Sequence, residues 1–358
     1  MEKVHFEWVD VARAIAIIFV YLGHWNTDKV GSFAYAFHLQ MFFIIAGFFA
    51  ANQQKYSIKE FLKKRFWAIE VPLFLWAWIS LIITHLNTEF KLIELKELFL
   101  HPEAVQPNYW FMPVMFSVSI TYYFLSKLLK NNGGALLLLY IIHILFGETP
   151  VIPAKYNIFT LLSELPILNI VDSWFSISGL PQFCFWYALG AWSFEYIQSF
   201  IKLKDGEYQV WYHSLGFFMT FISSLLFLKK ITGFEWIGNI IYKNNFVLEN
   251  YKIICTLIII CAIFYISTLL EKSVLLKEIG TSTMGLMGLE YITHGYIPLI
   301  LLPMLNLGIP SIVNTEGVIT VTAGAICINM FLMKLINKYM PILNGKKKWG
   351  KNLWKNRE

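Results

Sequence analysis

Long apolar runs separated by short polar stretches recur from one end of this chain to the other. Each is about 18 to 22 residues, enough for one helix to cross roughly 30 Å of hydrocarbon. Ten can be read, over 9–26, 32–52, 66–86, 109–129, 134–147, 178–198, 211–229, 251–270, 286–306 and 317–339, the fifth being short. The pattern predicts an all-α, polytopic integral membrane protein of about ten transmembrane helices. One membrane domain is expected over 1–345 and a basic cytoplasmic tail over 346–358. The first run lacks a basic start and a small-residue cleavage site, so it is expected to be retained.

Composition agrees. Of 358 residues, 57% are hydrophobic and only 15% charged, against about 25% charged in soluble domains, and the mean hydropathy is +0.56. The net charge of +6 reads as a topology signal, because basic residues collect on the cytoplasmic side of a membrane. With the N-terminus inside, Lys3, the run Lys55 to Arg65, the pairs Lys127/Lys130, Lys202/Lys204 and Lys272/Lys277, and the tail from Lys334 to Arg357 all lie inside. Both termini are then cytoplasmic, as an even number of crossings requires. Nothing resembles a nucleic-acid groove. The tail "KKKWGKNLWKNRE" is expected to touch anionic membrane lipid.

The non-spanning stretches 87–108, 148–177 and 230–250 fall outside on this topology, and each is a candidate for part of an acceptor site. "FKLIELKELFL" in the first has the spacing of an interfacial helix. The second is rich in proline and aromatic residues, suited to stacking on sugars or, more commonly, to interfacial anchoring. Cys184, Cys255, Cys261 and Cys327 show no CxxC spacing and read as small packing residues.

Three ionisable groups interrupt the first run, "WVDVARAIAIIFVYLGHW". Asp10 is one turn before Arg13. His24 is three turns plus about 20° beyond Arg13, on the same face and roughly 16 Å along the axis. Charges at such depth are costly and default to functional hypotheses. The plainer alternative is a buried Asp10–Arg13 pair that fixes packing, with His24 hydrogen-bonded near the interface. The chain uses lysine for nearly every cation, with arginine only at 13, 65 and 357, and a guanidinium fork suits carboxylate or phosphate. His38 and Gln40 in "FHLQMFFIIAGFF", and Glu290 and His294 in "LEYITHGYI", are further polar groups in apolar surroundings. For each histidine alone, a structural hydrogen bond is the commoner role. No metal-ligand spacing recurs, and no metal is expected.

Taken in order, these segments resemble the acyltransferase 3 family of multi-spanning bacterial membrane acyltransferases. "DVARAIAIIFVYLGH" carries the family's acid, arginine and histidine at Asp10, Arg13 and His24. "FHLQMFFIIAGFF" is similar to its His-plus-FFxxSG segment through His38, Phe42, Phe43 and Gly47. "KKRFWAIEVPLF" resembles its basic run, "YWFMPVMF" the form seen in fucose acetylase-like members, "FWYALGAW" a later glycine-bearing helix, and "EYITHGYI" its IYLxH segment. The chain departs from the pattern at Gln40, where proline is common, at Ala46, where a small polar residue is expected, and at Ala68, where a second arginine is usual.

The resemblance implies cytosolic acetyl-CoA as acyl donor and, as acceptor, a carbohydrate hydroxyl of a bacterial surface glycan or its lipid-linked precursor, in the bacterial cytoplasmic membrane. On it, His24, Arg13 and Asp10 are the candidate catalytic residues. Arg65, Lys64, Lys63 and Arg13 are candidates for the coenzyme A phosphates, and His38, Trp110, Glu290 and His294 for the substrate. His24 is expected to act as general base, because imidazole titrates near neutrality; a covalent acyl-histidine relay is the other route. The competing classes are a proton-coupled transporter or lipid-linked sugar flippase, in which the same residues form a relay, and a glycan polymerase.

Overall fold

In a computed structural model, residues 5–24, 28–50, 55–84, 96, 98–102, 109–148, 150–151, 157–159, 166–232, 244–304 and 315–346 are described. All the regular structure among them is helical. In chain order the helices are α1 Glu7–His24, α2 Asp28–Tyr35, α3 His38–Phe48, α4 Ile58–Ala68, α5 Glu70–Thr84, α6 Phe111–Leu129, α7 Asn132–Phe146, α8 Pro166–Phe175, α9 Leu180–Ile201, α10 Gln209–Thr232, α11 Asn245–Leu269, α12 Val274–Gly280, α13 Thr283–Met304 and α14 Thr315–Tyr339. Most of "FKLIELKELFL" lies outside the described residues, as does the tail beyond Lys346.

Six stretches among the described residues are long and apolar enough to cross a membrane: Val30–Phe48, Ile58–Ile83, Phe111–Leu129, Gln209–Leu228, Asn245–Leu269 and Glu316–Tyr339. Helix α1 has 18 residues but carries Glu7, Asp10 and Arg13. Helix α7 has 15 residues, about 22 Å of rise, which falls short of a straight hydrocarbon crossing. Its end is fixed at Gly147, whose N–H donates to His143 O at 2.8 Å.

The chain divides into two compact units. The first holds Met1–Gln54, Thr121–Leu161 and Pro181–Thr281, and the second Lys55–Ile120, Leu162–Leu180 and Ser282–Glu358.

In the first unit α1 is buried nearly all round, with Trp8, Val9, Val11, Ala12, Ala14, Ala16, Ile17, Val20 and Tyr21 enclosed. Such a helix belongs to the middle of a bundle. Alanine at 12, 14 and 16 lets neighbouring backbones approach closely. The run predicted over 32–52 is broken into α2 and α3 by a turn at Ala36–Phe37. Side chains cause the break by taking carbonyls that a continuous helix would use itself: His38 Nδ1 lies 2.5 Å from Ala34 O, and Thr256 Oγ1 donates to Ala36 O at 2.7 Å.

In the second unit Trp76 is the largest fully buried side chain, and its indole N–H donates to Leu343 O at 2.9 Å. Gly288 leaves the space the indole fills, since a Cβ there would stand 2.3 Å from the ring. Helix α4 starts on a complete capping box. The Ser57 side chain accepts from the Glu60 N–H, and Glu60 accepts from the Ser57 N–H. It ends at Ile69, three residues before Pro72, whose ring cannot sit beside the carbonyl of residue 68 in a continuous helix. Of the cysteines, only Cys184 is fully buried, while Cys261 and Cys327 lie on exposed faces. The packing role expected for all four therefore fits Cys184 best.

Candidate functional site

The candidate catalytic residues lie along α1 in the first unit. At its start, Arg13 Nη1 donates to Asp10 Oδ1 at 3.3 Å, and His5 Nε2 lies 2.8 Å from Asp10 Oδ2. Asp10 is 3% exposed, so the Arg13 guanidinium on its Oδ1 offsets part of the cost of burying the carboxylate. The Arg13 guanidinium also lies 5.5 Å from the centroid of the Phe49 ring. The Asp10–Arg13 pair is therefore real. His5, in the chain's first polar stretch, is a third member that the pattern of the run gave no reason to include.

Helix α12 holds this end of α1 in place. A Cβ on Gly280 would stand 1.8 Å from Asp10 O, so the backbones touch, and Lys277 Nζ pairs with Glu7 Oε1 at 3.1 Å. Asp10 thus acts as counter-ion to Arg13 on a braced helix end, with the His5 ring close to its second oxygen.

At the other end, half-buried His24 is the last residue of α1. Its ring centroid lies 6.4 Å from that of Tyr35, and that of His38 lies 5.1 Å from Tyr35. The structure thus groups His24, His38 and Tyr35, the last a residue unmarked in the sequence because a tyrosine in an apolar run is ordinary. His38 is 1% exposed. With Nδ1 directed at the Ala34 carbonyl, the neutral ring carries its proton there and keeps Nε2 as the acceptor nitrogen. Gln40, two residues on, is also buried, and its Oε1 has no hydrogen-bond partner among the described residues.

The remaining candidates belong to the second unit. Lys63, Lys64 and Arg65 are consecutive on α4, so successive side chains leave the axis about 100° apart. They find separate neighbours: Lys63 lines an apolar groove of about 370 Å³ with Leu62, Phe66, Trp67 and Phe116, Lys64 Nζ sits 3.1 Å from the Tyr56 ring centroid, and Arg65 lies 5.7 Å from that of Phe61. Trp110 is half-buried in the turn before α6, edge-on to Phe111 at 6.3 Å.

Its neighbour Tyr109, passed over in the sequence, is fully buried. The Tyr109 hydroxyl lies 2.7 Å from Ser80 Oγ and 3.1 Å from Gly288 O. Glu290 is 1% exposed and within electrostatic reach of Tyr109. His294 continues α13, but its side chain lies outside the described residues. Glu70, buried in the first turn of α5, is a further acid that the sequence reading did not single out. Among the described residues no three His, Cys, Asp or Glu side chains stand together as a metal would need.

Regular structure that is all helical among the described residues, with six apolar stretches of membrane-crossing length, is that of a membrane protein. Residues 6–336 match the acyltransferase domain of the acyltransferase 3 family. The chain belongs to that family, and the match, spanning nearly its whole length, supports a membrane acyltransferase. No curated protein and no solved structure matches it.

Proposed function

We propose that this protein is an O-acetyltransferase of the bacterial cytoplasmic membrane. It moves an acetyl group from cytosolic acetyl-CoA to a sugar hydroxyl of a surface polysaccharide or its lipid-linked precursor. The observation that carries this reading is α1: a braced Asp10–Arg13–His5 cluster at one end and His24, grouped with His38, at the other. Placed with its N-terminus inside, α1 offers a cation toward the side where coenzyme A arrives and an imidazole toward the side where the glycan lies.

In this mechanism His24 takes the proton of the acceptor hydroxyl as its oxygen attacks the thioester carbonyl. The C–O bond forms, the C–S bond breaks, and the coenzyme A thiol leaves carrying a proton. Arg13 is the proposed source of positive charge for the donor's carbonyl, and Lys63, Lys64 and Arg65 are the proposed contacts of its phosphates. Because the α4 cations fan around their helix, Arg65 and Lys64 serve best as separate phosphate contacts.

The test is label transfer from acetyl-CoA to envelope glycan by purified protein. Loss of a general base costs about 10² to 10⁴ in rate, so His24→Ala is expected to fall by that factor, and Arg13→Lys to weaken transfer with folding retained. Wild-type rates in His24→Ala would remove His24 from the mechanism. Movement of a sugar across vesicles with no acyl transfer would favour the transporter class instead.

A further inference from the structure

We propose that the ring of Tyr35 is the platform of an acceptor subsite, on which a pyranose of the glycan lies with one hydroxyl turned toward His24. The inference rests on the O-acetyltransferase reading above and assigns the sugar a place within it.

Four observations converge. Tyr35 is 46% exposed, although His38 beside it is 1% exposed and the glycine beneath it is buried. Its ring lies against Gly23, where a Cβ would stand 3.6 Å from Cε2 and 3.8 Å from Cζ, in ordinary van der Waals contact, so the α1 backbone supports the ring from one side. The ring sits beside both imidazoles, at 6.4 Å from His24 and 5.1 Å from His38. Finally, the turn that follows Tyr35 is fixed: Ala36 N–H donates to Phe33 O at 3.1 Å, Phe37 N–H donates to Ala34 O at 3.2 Å, and Thr256 Oγ1 donates to Ala36 O.

An exposed aromatic ring on a rigid support, beside the half-buried His24 imidazole, matches the chemistry of a sugar, which has an apolar C–H face and a polar rim. A pyranose laid on the ring at van der Waals distance, about 4 Å, has its rim on the side of the half-buried His24 imidazole. Positioning of this kind supplies rate by holding the reacting hydroxyl near its base.

The test uses the full-length chain in lipid nanodiscs, labelled acetyl-CoA and an envelope glycan fraction, with each substrate varied at saturation of the other. Tyr35→Ala is expected to raise the half-saturating glycan concentration about tenfold, the scale of a lost stacking contact, and to leave the value for acetyl-CoA unchanged. Tyr35→Phe and Tyr35→Trp, which keep a platform, should stay within about threefold of wild type on the same scale. An unchanged glycan value in Tyr35→Ala, or a parallel rise for acetyl-CoA, overturns the subsite while the enzyme reading stands. A wild type that is folded and transfers no label to glycan overturns both.

Discussion

His143 and Glu249 form a buried polar pair. Both side chains are 3% exposed or less, and His143 Nε2 lies 3.1 Å from Glu249 Oε1. His143 Nδ1 faces Pro181 O at 3.1 Å, and Lys252 Nζ stands 3.9 Å from the other Glu249 oxygen. Close to both Pro181 and Glu249, His143 links α7, α9 and α11, in contrast to half-buried His24. Removing one partner of a buried polar pair leaves the other unsatisfied, at a cost of about 1–3 kcal/mol, whereas removing both relieves that penalty. His143→Ala should therefore lower thermal stability in detergent sharply, and the His143→Ala/Glu249→Ala double variant should recover part of the loss. Additive losses would show that the pair is not coupled. The sequence exposed Asp10, Arg13 and His24 because each breaks a long apolar run. It hid Glu249, Tyr35 and Tyr109 because a glutamate near a helix start or a tyrosine among aromatics breaks no pattern, and only tertiary packing gives each its neighbours.

At the scale of helices, α3 and α9 meet through two glycines. A Cβ on Gly47 would stand 2.1 Å from Tyr187 O, and one on Gly190 would stand 2.0 Å from Ile44 O. The backbones touch at both places, the close approach that small residues permit between apolar helices, where lipid offers no hydrophobic incentive to associate. Stacking of Phe43 on Phe183, at 4.5 Å and 19°, fills the same seam. Overpacking costs about 1–3 kcal/mol even where side chains can shift, and here the obstacle is backbone. Gly47→Ala and Gly190→Ala should each lower the melting temperature. Because they press on one seam, their combination should cost less than the sum, and unchanged melting in either single variant would refute the contact. Gly47 and Gly190 stood out in the sequence only through resemblance, with no hint that they face one another. The helix boundary before Pro72 was within reach of sequence chemistry, since proline limits the turn ahead of it. The break at Ala36–Phe37 was not, because no proline or glycine marks it and the hydrogen bond that holds it comes from Thr256, 220 residues away.

Across the whole molecule, the helices follow the apolar runs closely, because run length is set by the chain's own composition, whereas its division into two units follows no visible boundary in the sequence. Each unit is assembled from three separate segments, so no linker or composition shift marks the change. Sidedness is carried by charge alone. On the proposed topology of ten crossings, Lys55 to Arg65 and the tail beyond Lys334 share the cytoplasmic face, and the attraction of such clusters to anionic lipid, about 1 kcal/mol per basic residue, holds them there. A C-terminal green fluorescent protein fusion should then fluoresce and a C-terminal alkaline phosphatase fusion should be inactive, since the first folds inside and the second matures only outside. The opposite pair of results would turn the tail outward. It would turn α4 outward with the tail if all ten crossings stand, or change the number of crossings to an odd one, with α7, at 15 residues, the first helix to be withdrawn from the bilayer. His24 would keep its neighbours in either case, because its grouping with Tyr35 and His38 is internal to one unit. What would change is the side from which the donor reaches α4, so the fusion result bears on coenzyme A binding and leaves the chemistry at His24 to the transfer assay.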